Sequence, residues 1–344
     1  MSRAEAMGGA EPGTAGTGRT GTGRTEPGSA GTGGAEVGSA EAGRTGIGST
    51  GRGGAGAGGA AVCRAPRPLW TLGLLRNEIG TTFRRWRTLA LLAVLAAVPV
   101  LIGVAVKIET DGGDGGGGGG PGSAFVSQIS NNGLFLVFSS LAVTLPVFLP
   151  LAVGVIAGDA VAGEAHAGTL RYLLVAPAGR TRTLLVKYAT TVTFCLTATL
   201  VVAVSALVTG ALLFPVGEVT LLSGTTVPFG EGLLRALAVA LVVALSLLGV
   251  AAIGLFVSTL TNSGIAAMAT TVGLLVMIQI LDAVPQLHAI QPYLFSHHWL
   301  SFADVLRDPV YWDRLQQNFG LQALYVAVFG SAAWARFTTR DVTV

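Results

Sequence analysis

Residues 88–106 read TLALLAVLAAVPVLIGVAV and contain no charged side chain. At a rise of about 1.5 Å per residue, a helix of this length reaches the roughly 30 Å thickness of a hydrocarbon core. Only 11% of the whole chain is charged and 51% is hydrophobic, whereas about 25% of a soluble domain is charged. The composition argues against a soluble globular protein, and the segment is predicted to be a first transmembrane helix.

Five further apolar runs have lengths that suit membrane crossing. The two shortest contain Gln279 and Gln322, which weaken them, and prolines at Pro99, Pro146 and Pro150 are predicted to kink spans one and two. The sequence therefore predicts an all-α membrane protein with six transmembrane helices. Its remaining spans are residues 134–157, 189–214, 236–257, 265–281 and 320–335.

The amino-terminal residues 1–66 are rich in glycine and carry almost no large apolar side chains. Such a segment cannot offset the entropy lost on ordering, so we predict a disordered cytoplasmic tail. No apolar run follows Met1, and a signal peptide is not expected. The transmembrane domain is predicted over residues 67–344.

The positions of Lys and Arg predict the orientation, because basic residues near span ends are retained in the cytoplasm. With the amino terminus inside, nine basic residues lie on the cytoplasmic side and four lie outside. Both termini are then cytoplasmic, in a multi-pass protein of the cell membrane. A ratio of two lysines to nineteen arginines favours a bacterial source with a GC-rich genome. The inner residues are Arg84, Arg85, Arg87, Arg171, Arg180, Arg182, Lys187, Arg336 and Arg340; the outer ones are Lys107, Arg235, Arg307 and Arg314.

Apolar residues recur at helical spacing just before span one, and polar residues occupy the other face. This pattern predicts an amphipathic helix that lies along the inner leaflet. The apolar face holds Leu72, Leu75, Ile79, Phe83 and Trp86, and the polar face holds Arg76, Asn77, Glu78, Arg84 and Arg85.

Several classes of function have no support in the sequence. Valine precedes both Lys107 and Lys187, so the chain has no phosphate-binding loop of the G-x-x-x-x-G-K-[ST] type. Common hydrolase motifs are also missing, and we expect neither enzymatic activity nor a cofactor within this chain. A net charge of +3 gives no basis for nucleic-acid binding. The span interiors lack ionisable residues, since Asp159, Arg235 and Asp282 fall at span ends, which disfavours a proton-coupled carrier.

Two small sets of residues have alternative interpretations. His297 and His298, with Asp304 and Asp308, could suggest a metal site, but adjacent residues on a helix point apart, which favours a wetted outer segment without metal. The glycine run that ends at Gly120 is predicted to be a flexible outer linker.

Small residues four apart lie on two predicted spans, Gly154 with Gly158 and Ala269 with Gly273. Such pairs allow close helix contact in lipid. Packing within the chain and a subunit interface both remain open for them.

The loop between spans two and three, residues 158–187, reads GDAVAGEAHAGTLRYLLVAPAGRTRTLLVK. Its glycines and Pro177 break the helical pattern on both sides of residues 169–175 and predict a short helix there. This helix would present a compact apolar patch beside a basic rim, which suits docking to a soluble partner. The patch comprises Thr169, Leu170, Leu173 and Leu174.

This loop resembles the first cytoplasmic loop of the type-two ABC transporter permeases. Those proteins carry an acidic residue, then Glu, Gly-Thr-Leu, a Leu pair, Pro, Arg and Lys in this order. Residues 76–85 resemble the amphipathic first helix of the family, and residues 334–341 resemble its closing segment, so the likeness covers residues 68–344. The matching loop residues are Asp159, Glu164, Gly168, Thr169, Leu170, Leu173, Leu174, Pro177, Arg180 and Lys187.

The resemblance implies a membrane-embedded permease subunit that pairs with a second permease copy or a paralogue. It would bind ABC ATPase subunits through a coupling helix and export a substrate, with ATP and Mg²⁺ held by the ATPase. A non-transporting membrane anchor that recruits an ATPase and an ion-coupled carrier are the alternatives. The patch of Thr169, Leu170, Leu173 and Leu174 would dock on the ATPase. Gly168 and Pro177 would set the geometry of the loop. Glu164, Arg171 and Arg180 would make polar contacts with the ATPase or with neighbouring helices.

Overall fold

The computed structural model describes residues 68–112, 121–167, 179–220 and 224–339, and these belong to one compact unit. Over these ranges the chain forms ten α-helices, three short 3₁₀ segments and a pair of two-residue strands. The prediction of a helical protein is confirmed. The predicted disordered tail, the glycine linker before Pro121 and most of the predicted docking loop lie outside the described residues.

Helix α1 (Pro68–Arg84) covers the predicted amphipathic segment, and α2 (Trp86–Asp111) contains span one. Arg85 separates them with an extended backbone, φ −69° and ψ 131°. Pro99 lies inside α2 without ending it. Helix α3 (Pro121–Asn131), which follows the glycine run, was not predicted from the sequence.

Span two is broken into α4 (Phe135–Thr144) and α5 (Phe148–His166), at the prolines that are predicted to kink it. Pro150 has no N–H, so the carbonyl of Pro146 loses its intrahelical donor. The Nε2 of Gln279 donates to this carbonyl instead. Gln279 therefore compensates for a proline in a neighbouring helix, whereas the sequence suggested only that it weakens span five.

Span three lies in α6 (Arg180–Leu213), a helix of 34 residues. An antiparallel pair of strands follows, β1 (Val219–Thr220) and β2 (Thr226–Val227). Span four comprises α7 (Phe229–Ser246) and α8 (Leu248–Leu260), which are separated at Leu247.

Span five corresponds to α9 (Gly264–Ala283), whose first turn is capped by the side chain of Ser263. Three 3₁₀ segments follow: Pro285–Leu287, Gln291–Tyr293 and Trp299–Leu306. The final helix is α10 (Trp312–Thr339), with 28 residues.

Five helical stretches in the described part of the chain are long and apolar enough to cross a membrane. The helix that contains the predicted sixth span, α10, is not among them. Its low apolarity has a local cause, since Asn318 and Gln322 are buried inside the bundle and do not face its surroundings. The five stretches are Trp86–Asp111, Phe148–His166, Arg180–Leu213, Phe229–Leu260 and Gly264–Ala283.

Polar side chains of α10 and the last 3₁₀ segment form hydrogen bonds with groups on either side of the helix break at Leu247. Gln322 Oε1 accepts from the backbone N–H of Gly249, and Asn318 Nδ2 donates to Ser246 Oγ. Trp299 Nε1 donates to the carbonyl of Ser246. Backbone groups buried in an apolar bundle need such partners, so the buried polar residues of α10 stabilise the break.

The segment after α9 descends along α7. Trp299 bonds at the level of Ser246, while the Nη1 of Arg235 donates to the carbonyls of Val305 and Arg307. Arg235 and Ser246 are 11 positions apart, which corresponds to about 16 Å of helix. Residues 299–307 therefore extend about this far into the bundle beside α7.

Glycines set the closest helix contacts. Gly158 packs against the backbone of Met268, where a Cβ would lie 3.1 Å from its Cα. The Gly154 and Gly158 pair thus serves packing within the chain, against α9. A Cβ at Gly273 would meet no atom within 4 Å, and Ala269 is exposed. The second small pair has no contact of this kind within the described residues.

Candidate functional site

A buried lysine joins three helices at one end of the bundle. Lys187 lies in the first half of α6 and only 2% of its side chain is exposed. Its Nζ is 2.9 Å from Glu78 Oε1 on α1 and 2.5 Å from Glu164 Oε1 on α5. A buried ammonium is tolerated only with counter-charges, so the two carboxylates hold α1, α5 and α6 together.

A second ionic contact lies beside the lysine. Asp159 Oδ2 on α5 is 3.0 Å from Arg85 Nη1, at the junction of α1 and α2, and 3.9 Å from Arg87 Nη1. The carboxylate also faces Gly163 and Gly264, where an added Cβ would collide with its Oδ1. A side chain at either position would therefore displace the Asp159 carboxylate.

These two contacts form one site, which we call the ionic cluster and define as Glu78, Arg85, Arg87, Asp159, Glu164 and Lys187. It contains three basic and three acidic residues and is balanced in charge. It connects α1, α2, α5 and α6 at the end of the bundle that we call the basic end.

The two flanks of the predicted docking loop are tied to other helices. Glu164 lies in the first part of the loop and contacts Lys187. Arg180 lies in its last part, and its Nη1 donates to the carbonyl of Thr338 near the end of α10, at 2.7 Å. Trp334 Nε1 of α10 donates to Thr181 Oγ1. The predicted closing segment therefore packs against the start of α6.

The predicted site residues divide into two groups. Glu164 and Arg180 are described and lie at the basic end, on opposite flanks of the loop. The others lie outside the described residues: Gly168, Thr169, Leu170, Arg171, Leu173, Leu174 and Pro177.

Sequence reasoning missed three members of the ionic cluster. Glu78 was assigned to the polar face of α1, but it points at Lys187. Asp159 falls at the end of a predicted span, and only 18% of its side chain is exposed. Lys187 was counted as a basic loop residue and proves to be buried. The sequence feature that could have indicated these contacts is the occurrence of oppositely charged residues near the ends of consecutive predicted helices.

The two histidines considered above as metal ligands lie at the opposite end of the bundle, with their ring centroids 5.0 Å apart. His297 Nδ1 lies 3.0 Å from Asp282 Oδ1, and Asp304 lies beside Arg307. Partial burial lowers the pKa of His298, and the neighbouring His297 adds to this effect. Within the described ranges, no group of three potential ligands is placed to hold a metal ion.

Several long apolar helices with an ionic cluster at one end fit the class of multi-pass membrane proteins. The chain belongs to the family described as protein of unknown function DUF2705, whose profile matches residues 120–343. The matched region includes the predicted docking loop and the part of the ionic cluster on α5 and α6. A comparison with curated proteins finds no match.

Proposed function

We propose that this chain is the membrane subunit of an ATP-driven ABC transporter, an exporter that is powered by a separate ATPase subunit. The observation that carries the proposal is the burial of Lys187 between Glu78 and Glu164. This contact lies directly beside the loop that resembles the docking loop of the type-two permeases. A movement of that loop is therefore transmitted to the helices of the bundle through the ion pairs of Lys187.

The route follows the contacts of the ionic cluster. Movement of the loop shifts Glu164 at the end of α5, and Lys187 passes the shift to α6 and, through Glu78, to α1. Asp159, on the same helix as Glu164, passes it to the start of α2 through Arg85. Packed helices with paired charges move as units, so these four helices respond together. ATP and Mg²⁺ belong to the partner ATPase.

The proposal includes six membrane spans, with α10 as the sixth. Its buried Asn318 and Gln322 face the break at Leu247, and its exposed Leu324 and Val328 are available to lipid. The basic end is then cytoplasmic, both termini are inside, and α1 lies along the inner leaflet of a bacterial cell membrane.

A second copy of the chain or a paralogue completes the transporter. The exposed small residues Ala269 and Gly273 on α9 support this, because small residues at an exposed helix face allow close approach of another helix in lipid. Both a homodimer and a heterodimer use the same face.

The variant Leu173→Glu tests the docking role of the loop. A charge in the predicted apolar patch should abolish co-purification with the proposed partner ATPase, while membrane insertion stays intact. The control His166→Glu adds the same charge at an exposed position near the loop and should leave co-purification unchanged.

Recovery of the ATPase at wild-type levels with Leu173→Glu would refute the docking role. If docking holds, reconstituted vesicles separate transport from anchoring. A transporter gives substrate-dependent ATP turnover and an anchor gives none. Dissipation of ion gradients should leave transport intact, whereas it would stop an ion-coupled carrier.

A further inference from the structure

One face of α1 is polar, basic and exposed. Its residues repeat at spacings of three and four positions, which places them on a single side of the helix. They line an open groove of about 310 Å³, and no carboxylate of the described residues is part of this lining. We call this surface the arginine face; it comprises Gly73, Arg76, Asn77, Gly80, Thr81 and Arg84.

The opposite face of α1 is fixed to the bundle. Glu78 Oε1 lies 2.9 Å from the buried Nζ of Lys187 on α6. The ring of Phe83 packs against the ring of Phe194, also on α6, with the two centroids 6.2 Å apart. Rotation of α1 about its own axis would break a buried ion pair, which is costly. The arginine face is therefore held in a fixed direction, away from α6.

The two arginines of this face have no counter-charge on it. Arg76 and Arg84 are both exposed, and neither forms an ion pair within the described part of the chain. Arg85, by contrast, is paired with Asp159. Arg76 and Arg84 are eight positions apart, or about 12 Å along the helix. The face therefore presents two separate positive charges to whatever lies against it.

The position of α1 brings this face to a membrane surface. Arg84 lies two positions before the first residue of the apolar helix α2, Trp86, which is 80% exposed. Leu72, one helical turn before Arg76, is 63% exposed. Exposed tryptophan and arginine side chains at the end of a span are typical of the headgroup layer. A basic face with an apolar border in this layer is complementary to a leaflet of negative charge.

We propose that the arginine face docks on the anionic phospholipid headgroups of the leaflet at the basic end. Each arginine close to such a surface raises the affinity about fivefold, and the rigid attachment of α1 lets both act at once. Gly73 and Gly80 leave room for headgroups beside the arginines, since a Cβ at either position would meet no atom within 4 Å. The inference rests on the membrane-embedded class of the proposed function and not on its ATPase partner.

Fluorescence quenching of the full chain in lipid nanodiscs tests this contact. A bimane label on Gly80→Cys lies between Arg76 and Arg84; Cys63→Ser removes the thiol of the tail, and Cys195 is buried. The nanodiscs contain equal amounts of phosphatidylglycerol and phosphatidylcholine, and one lipid and then the other carries bromine in its acyl chains. Brominated phosphatidylglycerol should quench the label more strongly than brominated phosphatidylcholine.

The double variant Arg76→Gln/Arg84→Gln should lower the local ratio of phosphatidylglycerol to phosphatidylcholine about 5- to 25-fold, because about fivefold is lost with each arginine. Salt at 1 M should have a similar effect, since it shortens the screening length to about 3 Å. Arg314→Gln/Arg336→Gln is the matched control, which removes two exposed arginines from α10 and should leave the ratio unchanged.

A second label position verifies that the method detects lipid. Val104 is 41% exposed within the apolar helix α2, and a label on Val104→Cys should be quenched equally by the two brominated lipids. The proposal is overturned by equal quenching of the Gly80→Cys label by both lipids, or by an equal fall of the ratio in the α10 control.

Quenching at Val104→Cys with none at Gly80→Cys would also overturn it, and would place the arginine face in water, open to an acidic soluble partner. The purified chain is tested without an ATPase. Failure of the docking role in Leu173→Glu would therefore leave these results unchanged.

Discussion

Lys187 is the residue on which the basic end depends. It is one of only two lysines in the chain, and it is buried against two carboxylates while Lys107 is half exposed beside Asp111. Removing one member of a buried ionic contact leaves charges without partners in a low-dielectric site. The two lysines therefore allow the effect of burial on the strength of an ion pair to be compared within one chain.

We expect Lys187→Met to lower the free energy of unfolding by about 3–5 kcal/mol, because Glu78 and Glu164 lose their counter-charge. Unfolding in detergent with increasing dodecyl sulfate provides the measurement. Lys107→Met is the matched control, and since its ion pair is exposed, the loss should stay below about 1 kcal/mol. Similar losses in the two variants would show that the Lys187 contact is not a stabilising one.

Individual residues of the site were only partly predictable. Glu164 and Arg180 stand in the loop whose order of residues carries the resemblance, so the sequence indicates them directly. The contact of Lys187 with Glu78 joins residues 109 positions apart, and helical periodicity in α1 carries no information about which side chain of α6 it will meet. Gln279 likewise looks unfavourable until the proline of α5 is placed beside it.

At the level of elements, the sequence predicts one of the two helix breaks and not the other. Pro146 and Pro150 predict a kink in span two, and the chain breaks there between α4 and α5. The break at Leu247 follows no proline. It is stabilised from a distance by Gln322 and Trp299, which only the folded arrangement brings together.

The contact between α6 and the turn before α4 depends on two glycines. A Cβ added to Gly210 would collide with the carbonyl of Gly133, which is backbone and cannot rotate away. We expect Gly210→Ala to cost about 1–3 kcal/mol of stability, as overpacking does in other cores. Melting temperature in detergent is a sufficient measurement.

Gly330→Ala is the control for this substitution, because a Cβ at Gly330 on α10 meets nothing within 4 Å. Alanine is a better helix former than glycine by about 0.8–1 kcal/mol, so this variant should be neutral or slightly more stable. A Gly210→Ala variant as stable as Gly330→Ala would mean that α6 and Gly133 do not approach so closely.

At the scale of the whole molecule, the helical class and the positions of most spans follow from hydropathy alone. Hydropathy does not predict three other features, because they depend on tertiary contacts. These features are the length of α6, the presence of helix α3 and the packing of residues 299–307 beside α7. The buried polar face of α10 also explains why hydropathy is weakest at this helix.

The proposed pairing of two membrane subunits predicts a cross-link on α9. In a homodimer, Gly273→Cys should form a disulfide-linked dimer in oxidised membranes, because the exposed small-residue face brings two copies close together. The control Val204→Cys lies on α6 at a position that is 56% exposed and should remain monomeric. For a heterodimer, the cross-link requires the paralogue. Equal cross-linking at both sites would indicate random collision.

ATP turnover by the purified chain, alone and with its co-expressed ATPase in vesicles, tests the central claim most directly. The chain alone should hydrolyse no ATP. The complex should hydrolyse it and accelerate with substrate, and Leu173→Glu should eliminate the substrate response. Hydrolysis by the chain alone, or a full substrate response from the Leu173→Glu complex, would contradict a permease that is driven through its loop.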